Sequence, residues 1–291
     1  MKKILITGCM GQLGRAIQKE YGSTVEFIKT DMVEEEGVIK LDISKLNDVI
    51  KLFKDKKPDV VINCAAYTNV DGCEVNVDMA YKANTIGPRN LAIASNMIDA
   101  KLIHISTDYV FSGRVSDHPL TEFDKENPVS MYGKTKLEGE KLVKELSNKH
   151  FILRTAWLYG EGKNFVKTML KLSETHDKLD VVCDQVGTPT SAKALASMVR
   201  FLEGTEEYGT YHATCEGSTN WADFSEEIFK LSGKKVEVNH VTSKEYKKMN
   251  PASADRPLYS ILDNYMLRLT TDKFVMPHWH DALEEYIKTL K

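Results

Sequence analysis

Two side chains spaced four residues apart, Tyr132 and Lys136, could carry out acid/base chemistry together. Residues four apart on a helix project from the same face, so the phenol and the ammonium are expected to lie side by side. A tyrosine is a poor acid at neutral pH because its reference pKa is about 10. A neighbouring ammonium favours the phenolate and lowers that pKa. The pair is therefore predicted to act as an acid/base, with Lys136 also hydrogen-bonding a cofactor ribose.

A hydroxyl for the same chemistry stands at Thr107, after the apolar segment 101–106, which is predicted to be a strand. At the carboxyl end of a parallel strand this hydroxyl can donate to a substrate carbonyl. Tyr-x-x-x-Lys pairs are common on ordinary helices, so the pair alone is weak evidence for catalysis. A glycine motif upstream in the sequence strengthens it. We predict that Thr107, Tyr132 and Lys136 catalyse hydride transfer with a nicotinamide cofactor.

That glycine motif consists of Gly8, Gly11 and Gly14, which follow a short apolar strand and open a helix. Without side chains the backbone can bend sharply and approach a phosphate closely. The helix start offers free N–H groups and a partial positive charge to a pyrophosphate. The turn holds three more residues that are assigned to the cofactor: Met10, Gln12 and Leu13.

Asp31 stands about 20 residues beyond the glycine turn, at the predicted end of the second strand. A carboxylate there can accept the ribose hydroxyls of an adenosine. The acidic run at 34–36 would repel a 2′-phosphate, whereas Lys29 could attract one. NADH is therefore the expected cofactor, and NADPH remains possible.

The alternation of strand and helix patterns predicts an α/β fold: a doubly wound parallel (Rossmann-type) sheet with a smaller C-terminal α/β substrate lobe. The continuous apolar run at 58–66 is typical of a parallel strand buried on both faces. Ala65 and Ala66 end this run, where ligands bind in open α/β sheets. We assign residues 1–160 to the dinucleotide-binding domain, to which later segments return, and 161–291 mainly to the substrate lobe. A strand at 210–213 is assigned to that lobe, and Gly87-Pro88 is expected to kink a helix at 77–96.

Composition narrows the classes of function. A net charge of −3 over 291 residues offers no electrostatic basis for binding nucleic acid. No apolar segment has transmembrane length, so no membrane partner is expected. Five cysteines without a metal-type C-x-x-C pair are typical of reduced thiols in a cytoplasmic protein. His278-x-His280 has no carboxylate or cysteine pattern to complete a metal site, and no metal ligand is assigned.

Six motifs occur together along nearly the whole chain: Thr7-Gly-Cys-Met-Gly-Gln-Leu-Gly14, Asn63-Cys-Ala-Ala-Tyr-Thr-Asn-Val-Asp71, Ser106-Thr-Asp-Tyr-Val-Phe111, Tyr132-Gly-Lys-Thr-Lys136, Arg154-Thr-Ala-Trp157 and Asp184-Gln-Val-Gly-Thr-Pro189. The glycine spacing resembles that of the extended short-chain dehydrogenase/reductase superfamily. The full set resembles the dTDP-4-dehydrorhamnose reductase family within it. Members of that family reduce the 4-keto group of dTDP-4-dehydro-β-L-rhamnose to give dTDP-L-rhamnose for cell-surface glycans.

The resemblance also implies roles for individual residues. The residues that it places along the cofactor are Gln12, Leu13, Gly14, Asp42, Ile43, Ala66, Tyr67 and Thr68. It implies that Thr107, Asp108 and Trp157 meet the sugar nucleotide, and that Arg256 reaches the diphosphate. A core position for Trp157 and a surface ion pair for Arg256 are the alternatives. A homodimer is possible.

Two other functions stay open. One is a nucleotide-sugar epimerase or dehydratase, and the other is a cofactor-binding regulatory subunit without a reaction of its own. The 4,6-dehydratases of the superfamily carry an Asp-Glu pair after the strand-terminal threonine, whereas here Asp108 is followed by Tyr109. An intact set of Thr107, Tyr132 and Lys136 disfavours the regulatory subunit.

Overall fold

The computed structural model describes residues 1–251 and 256–290. Strands and helices alternate through the first half of the described chain, and two short helices and a π-helical turn precede α5. The elements are β1 (Lys3–Thr7), α1 (Gln12–Tyr21), β2 (Glu26–Asp31), β3 (Ile39–Lys40), α2 (Leu46–Lys56), β4 (Val60–Asn63), α3 (Val70–Val75), α4 (Val77–Tyr81), α5 (Gly87–Met97), β5 (Lys101–Thr107), α6 (Met131–Leu146) and β6 (His150–Thr155).

The second half contains shorter strands and six further helices in the described ranges. These elements are β7 (Leu158–Tyr159), α7 (Phe165–Leu172), β8 (Lys178–Val182), β9 (Val186–Gly187), β10 (Thr190–Ser191), α8 (Ala192–Glu203), β11 (Gly209–His212), β12 (Thr219–Asn220), α9 (Trp221–Ser232), β13 (Glu237–Val241), α10 (Ser243–Met249), β14 (Tyr259–Ser260), α11 (Tyr265–Thr270) and α12 (Trp279–Lys288).

A seven-stranded parallel sheet with the order β3-β2-β1-β4-β5-β6-β11 dominates the molecule. The first six strands follow the order of dinucleotide-binding folds, and the direction of strand succession reverses between β1 and β4. One apolar core lies against each face of the sheet, the first with α1 and α8, the second with α2, α5 and α6. The predicted doubly wound Rossmann-type fold is confirmed.

The prediction that a strand at 210–213 belongs to the smaller lobe is wrong, because this strand, β11, lies in the main sheet. Tyr211 pairs with Leu153 of β6, and both side chains are fully buried. The connection from β6 includes α8, which packs beside α1 in the same core. A helical crossover of this kind can return the chain to a sheet edge after an excursion, so order in sequence did not reveal the neighbour in space.

The rest of the C-terminal half forms its own small α/β cluster. The pairs β7–β10 and β8–β13 and the three-stranded sheet β12-β9-β14 surround a core shared by α7, α9 and α12. This agrees with a smaller lobe in that part of the chain, although the boundary at residue 160 stays a prediction. Among the described residues, no helix is long and apolar enough to cross a membrane.

The helix predicted at 77–96 contains a π-helical turn at Lys82–Ile86, directly before Gly87 and Pro88. Pro88 lies in the first turn of α5, where its missing N–H costs little. The extra residue in the π turn leaves Asn84 and Thr85 buried against α6. Such turns are frequent at functional sites.

Candidate active site

A cleft of about 980 Å³ opens where β1, β4, β5 and β6 end. Its walls include every residue that the sequence assigned to the cofactor: Gly8, Met10, Gly11, Gln12, Leu13, Gly14, Asp31, Asp42, Ile43, Ala65, Ala66, Tyr67, Thr68, Tyr132 and Lys136. Thr107, Asp108 and Trp157 line the same cleft. The structure therefore gathers residues that are as far apart in the sequence as Gly8 and Trp157, although their individual roles stay predictions.

Arg256 is the one assigned residue that is not among those lining the cleft in the described structure. It is exposed, and its Nη2 lies 3.5 Å from Oδ2 of Asp71. This is the ion-pair alternative stated above, and the contact with a diphosphate stays a prediction. Asp255, which directly precedes Arg256, lies outside the described residues.

The glycine turn owes its shape to two positions that exclude a side chain. Gly8 has φ +64°, and a Cβ atom there would lie 2.8 Å from the backbone N of Ala65. A Cβ on Gly14 would lie 2.5 Å from the carbonyl oxygen of Gly8. Because both obstacles are backbone, neither can move aside, and only glycine fits at these two positions.

Asp31 supports this turn directly, a role that its position in the sequence did not reveal. Its Oδ2 accepts a hydrogen bond from the backbone N of Met10 at 3.0 Å, and its Oδ1 accepts one from Met32 at 2.8 Å. The carboxylate is thus fixed at the end of β2. Each oxygen keeps a lone pair that can accept a ribose hydroxyl.

A close approach between α6 and the chain after β5 brings Tyr132 to Thr107. The Ser130 hydroxyl caps α6 by accepting from the Gly133 N–H at 3.1 Å, and a Cβ at Gly133 would clash with the Tyr109 carbonyl. The rings of Tyr109 and Tyr132 meet edge to face at 5.4 Å. The Thr107 hydroxyl donates to Asp108 Oδ1 at 2.9 Å.

The charges of the reacting pair are governed by burial. Burial raises the pKa of Tyr132, and the hydrogen bond with Thr107 only partly opposes this. Burial lowers the pKa of Lys136 to about 8, opposed by the nearby Glu140 carboxylate. The predicted lowering of the Tyr132 pKa by Lys136 is therefore wrong for this arrangement, in which the ammonium donates to the Ile105 carbonyl at 2.6 Å. A raised pKa keeps the phenol protonated, which is the form that supplies a proton.

Asp108 is a buried carboxyl group beside the cleft. Burial raises its pKa to about 6, although the neighbouring hydroxyls of Ser260 and Thr107 oppose the shift. Its Oδ2 is buried, and no hydrogen-bond partner for it occurs in the described part of the chain. Buried polar atoms are nearly always paired, so this oxygen fits a role in accepting a hydroxyl from a bound sugar.

A buried ion pair that the sequence analysis missed holds α6 to the sheet. Glu140 accepts from Arg154 Nη2 at 2.8 Å and from the Ser106 hydroxyl at 2.5 Å. Both charged side chains are at most 1% exposed, and Glu126 also contacts Arg154 at 2.5 Å. Glu140 stands one helical turn after Lys136, but this spacing does not point to its partner Arg154, which lies on β6.

Asn84, in the π turn, was also missed. Its Oδ1 accepts from the Tyr67 N–H at 2.8 Å, while its Nδ2 donates to the Tyr67 carbonyl at 3.1 Å and to the Thr135 hydroxyl at 3.2 Å. The side chain thereby ties the cofactor loop after β4 to α6. No spacing pattern announces a π turn, so the sequence held no clear signal for this role.

One further group of potential ligands lies on α9 and β13. Asp223, Glu226 and His240 are exposed, and their ligand atoms lie within 4.8 Å of one another. None of the three lines the cleft. Exposed acidic groups are common without a metal, so we assign no metal role to them.

Comparisons with known proteins cover the whole chain. The family model for the RmlD substrate binding domain matches residues 1–291. The dTDP-4-dehydrorhamnose reductase of Aggregatibacter actinomycetemcomitans is 41% identical over 278 residues, which cover 90% of this chain and 91% of that protein.

Two solved structures are similar throughout. The dTDP-4-dehydrorhamnose reductase from Clostridium acetobutylicum is 54% identical, covers 99% of both chains and superimposes with a TM-score of 0.93. The enzyme of the same name from Bacillus anthracis, in complex with NADP, is 40% identical, covers 100% of both chains and gives a TM-score of 0.90.

Proposed function

We infer, from the premise that the chain belongs to the RmlD substrate binding domain family, that it is an NAD(P)H-dependent oxidoreductase of the dTDP-4-dehydrorhamnose reductase type. It reduces the 4-keto group of a dTDP-4-dehydro-6-deoxysugar, converting dTDP-4-dehydro-L-rhamnose to dTDP-L-rhamnose. The observation that carries this function is the single cleft that joins the glycine turn to Thr107, Tyr132 and Lys136.

The residues of the cleft fit a nicotinamide dinucleotide. At Gly8 and Gly14 a side chain would collide with backbone, so only glycine allows the tight turn from which the first N–H groups of α1 can bind a phosphate. Asp31 presents a fixed carboxylate to a ribose. When bound, the cofactor supplies the hydride that is added to the sugar C4.

The chain itself supplies the proton and the orientation. The Tyr132 phenol donates its proton to the C4 oxygen, so one hydride and one proton complete the reduction. Thr107 polarises the ketone by donating a hydrogen bond to the same oxygen, for which its hydroxyl turns away from Asp108 Oδ1. Lys136 binds the ribose, and Asp108 and Trp157 contact the sugar nucleotide, with Arg256 reaching the diphosphate.

An assay of the purified protein with NADH and a dTDP-4-keto-6-deoxysugar tests this function. We expect loss of one NADH for each 6-deoxysugar nucleotide formed, because a reductase exchanges its cofactor in every cycle. With dTDP-glucose and no added reductant, we expect no 4-keto product. Formation of that product would assign the protein to the dehydratases, and cofactor binding without any turnover would favour a regulatory subunit.

We also propose a cytoplasmic site of action, a homodimer, and no nucleic-acid or membrane partner. The five cysteines, all described, are unpaired, which supports a reducing compartment. Sedimentation of the purified protein tests the dimer. The division of labour between residues 1–160 and 161–291 is part of the same proposal.

A further inference from the structure

Trp157 has an unusual backbone for a bulky residue. It lies between β6 and β7, where the chain leaves the main sheet, and its φ is +47°. The other non-glycine residues with positive φ in the described ranges, Lys57 and Asp99, do not line the cleft. The left-handed region is unfavourable for large side chains and persists only where the surroundings hold it. The residues that pack on Trp157 therefore fix its position in the wall of the cleft.

The indole of Trp157 is held between two parts of the C-terminal cluster. Trp221 stacks on it, with ring centroids 3.5 Å apart and planes inclined by 9°. Gly187 touches its edge so closely that a Cβ atom there would lie 2.7 Å from Cε2 of Trp157. The two supports are joined to each other, because Gly187 pairs with Thr219 in the strand that leads into Trp221.

Trp221 is itself fixed from behind. The ring of Phe165 packs against it at 4.4 Å, and Trp221 begins α9, whose Asn220 cap accepts a hydrogen bond from the Asp223 N–H at 2.9 Å. Aromatic pairs prefer an offset to near-complete overlap. A stack this close therefore reflects the fit of the surrounding elements more than the attraction between the two rings.

We propose that Trp221 is a positioning residue for nucleotide-sugar binding: it fixes the Trp157 indole in the cleft, and thereby couples the C-terminal cluster to the active site. The proposal rests on the proposed function, in which Trp157 contacts the sugar nucleotide. Trp221 is absent from the cleft lining described above, so it acts through Trp157 and not on the substrate.

Binding of dTDP-L-rhamnose by calorimetry, with saturating cofactor, tests the proposal without requiring turnover. Removal of the stack in Trp221→Leu is expected to weaken binding about five- to tenfold, the effect of losing one aromatic contact. The KM for the keto sugar should rise by a similar factor, whereas the KM for NADH should not change. Trp221→Phe keeps a flat ring and should recover much of the affinity.

A spectroscopic signature reports the stack itself. Two overlapping indoles give an exciton couplet in far-ultraviolet circular dichroism, which Trp221→Leu should abolish. Trp279→Phe is the matched control, because Trp279 packs edge to face on Phe224 and does not line the cleft. That variant should keep the couplet and the affinity for the sugar nucleotide.

Gly187→Ala provides a second, independent perturbation, since it pushes the Trp157 indole while Trp221 remains. We expect it to weaken dTDP-L-rhamnose binding and leave NADH titration unchanged. Wild-type affinity for dTDP-L-rhamnose in both Trp221→Leu and Gly187→Ala, with the couplet lost in the first, would overturn the proposal. Failure of the wild-type protein to reduce any keto sugar would instead refute the proposed function, and the binding comparison would still decide the role of Trp221.

Discussion

Burial shifts the pKa values of Tyr132 and Lys136 in opposite directions. It keeps a proton on the Tyr132 phenol and weakens the hold of Lys136 on its own proton. The site thus holds a proton donor whose proton is retained until a stronger base forms beside it. An alkoxide developing at the sugar C4 is such a base.

The first consequence concerns Tyr132→Phe. Loss of the general acid should lower turnover about 100-fold or more, because a phenylalanine ring has no proton to give to the C4 oxygen. NADH titration should give nearly the wild-type affinity, which shows that the fold is intact. Turnover near the wild-type value would remove Tyr132 from the mechanism.

The pH dependence of kcat/KM is predicted from two neighbouring groups. The Lys136 ammonium is present below its pKa of about 8 and is lost above it, so activity should fall as the pH rises through that value. The titration of Asp108 should give the profile of kcat/KM a second limb, on the acid side, near its pKa of about 6. Asp108→Asn should abolish this limb and leave the alkaline one, and persistence of both limbs would contradict the assignment.

The lowered pKa of Lys136 also makes the free energy of unfolding depend on pH. The folded pKa of Lys136 lies below the unfolded value of about 10.4, so unfolding takes up a proton between about pH 8 and 10.4. The contribution of Lys136 to the free energy of unfolding is therefore least favourable below pH 8 and improves across that window.

Cofactor preference should depend on Asp31. Two backbone N–H groups fix the position of the Asp31 carboxylate at the end of β2, where it would repel a 2′-phosphate. NADH is expected to bind at least as tightly as NADPH in a fluorescence titration, and Asp31→Asn should shift the ratio towards NADPH. Glu26→Gln, an exposed change at the opposite end of β2, is the control. Clearly tighter NADPH binding by the wild type would mean that Lys29 or another cation outweighs Asp31.

Among the elements, α6 carries the reacting pair and depends on the buried contact of Glu140 with Arg154. Glu140→Ala would leave the Arg154 guanidinium with Glu126 as its remaining partner. Removing one member of a buried ion pair costs about 3–5 kcal/mol, which we expect as a loss in the free energy of unfolding in urea. Glu138→Ala removes an exposed ion pair on the same helix and should cost less than about 1 kcal/mol. Equal losses in the two variants would show that the buried pair has no special role.

The elements also show where sequence reasoning succeeds. Strand β1, the glycine turn and α1 follow from local chemistry, since Gly8 and Gly14 are needed where the pattern places them. The start of α6 follows equally well, because its polar cap and its Tyr-x-x-x-Lys face are local. The π turn around Asn84 and the pairing of β11 with β6 depend on contacts between distant segments, so no window of sequence contains them. The raised pKa of Tyr132 belongs to the same class, because burial is a property of the whole fold.

Over the whole molecule, cofactor binding should be visible as stability. A ligand that binds only the folded chain at about 100 times its Kd adds about 2.7 kcal/mol to the free energy of unfolding. Denaturant unfolding with saturating NADH should show an increase of this size. Gly14→Ala places a methyl group against the Gly8 carbonyl and should remove most of the increase, whereas an unchanged increase would show that the glycine turn does not hold the cofactor.

The position of β11 has a consequence for how this protein can be made and divided. The edge of the main sheet at β6 is covered by β11, which is synthesised only after some two hundred preceding residues. Until then the growing chain exposes an apolar strand edge and the face of α1 that α8 later covers. A fragment ending at residue 160 would keep that exposure permanently and would tend to aggregate. The two halves are therefore expected to share one folding event, and excising the nucleotide domain would require grafting α8 and β11 onto it.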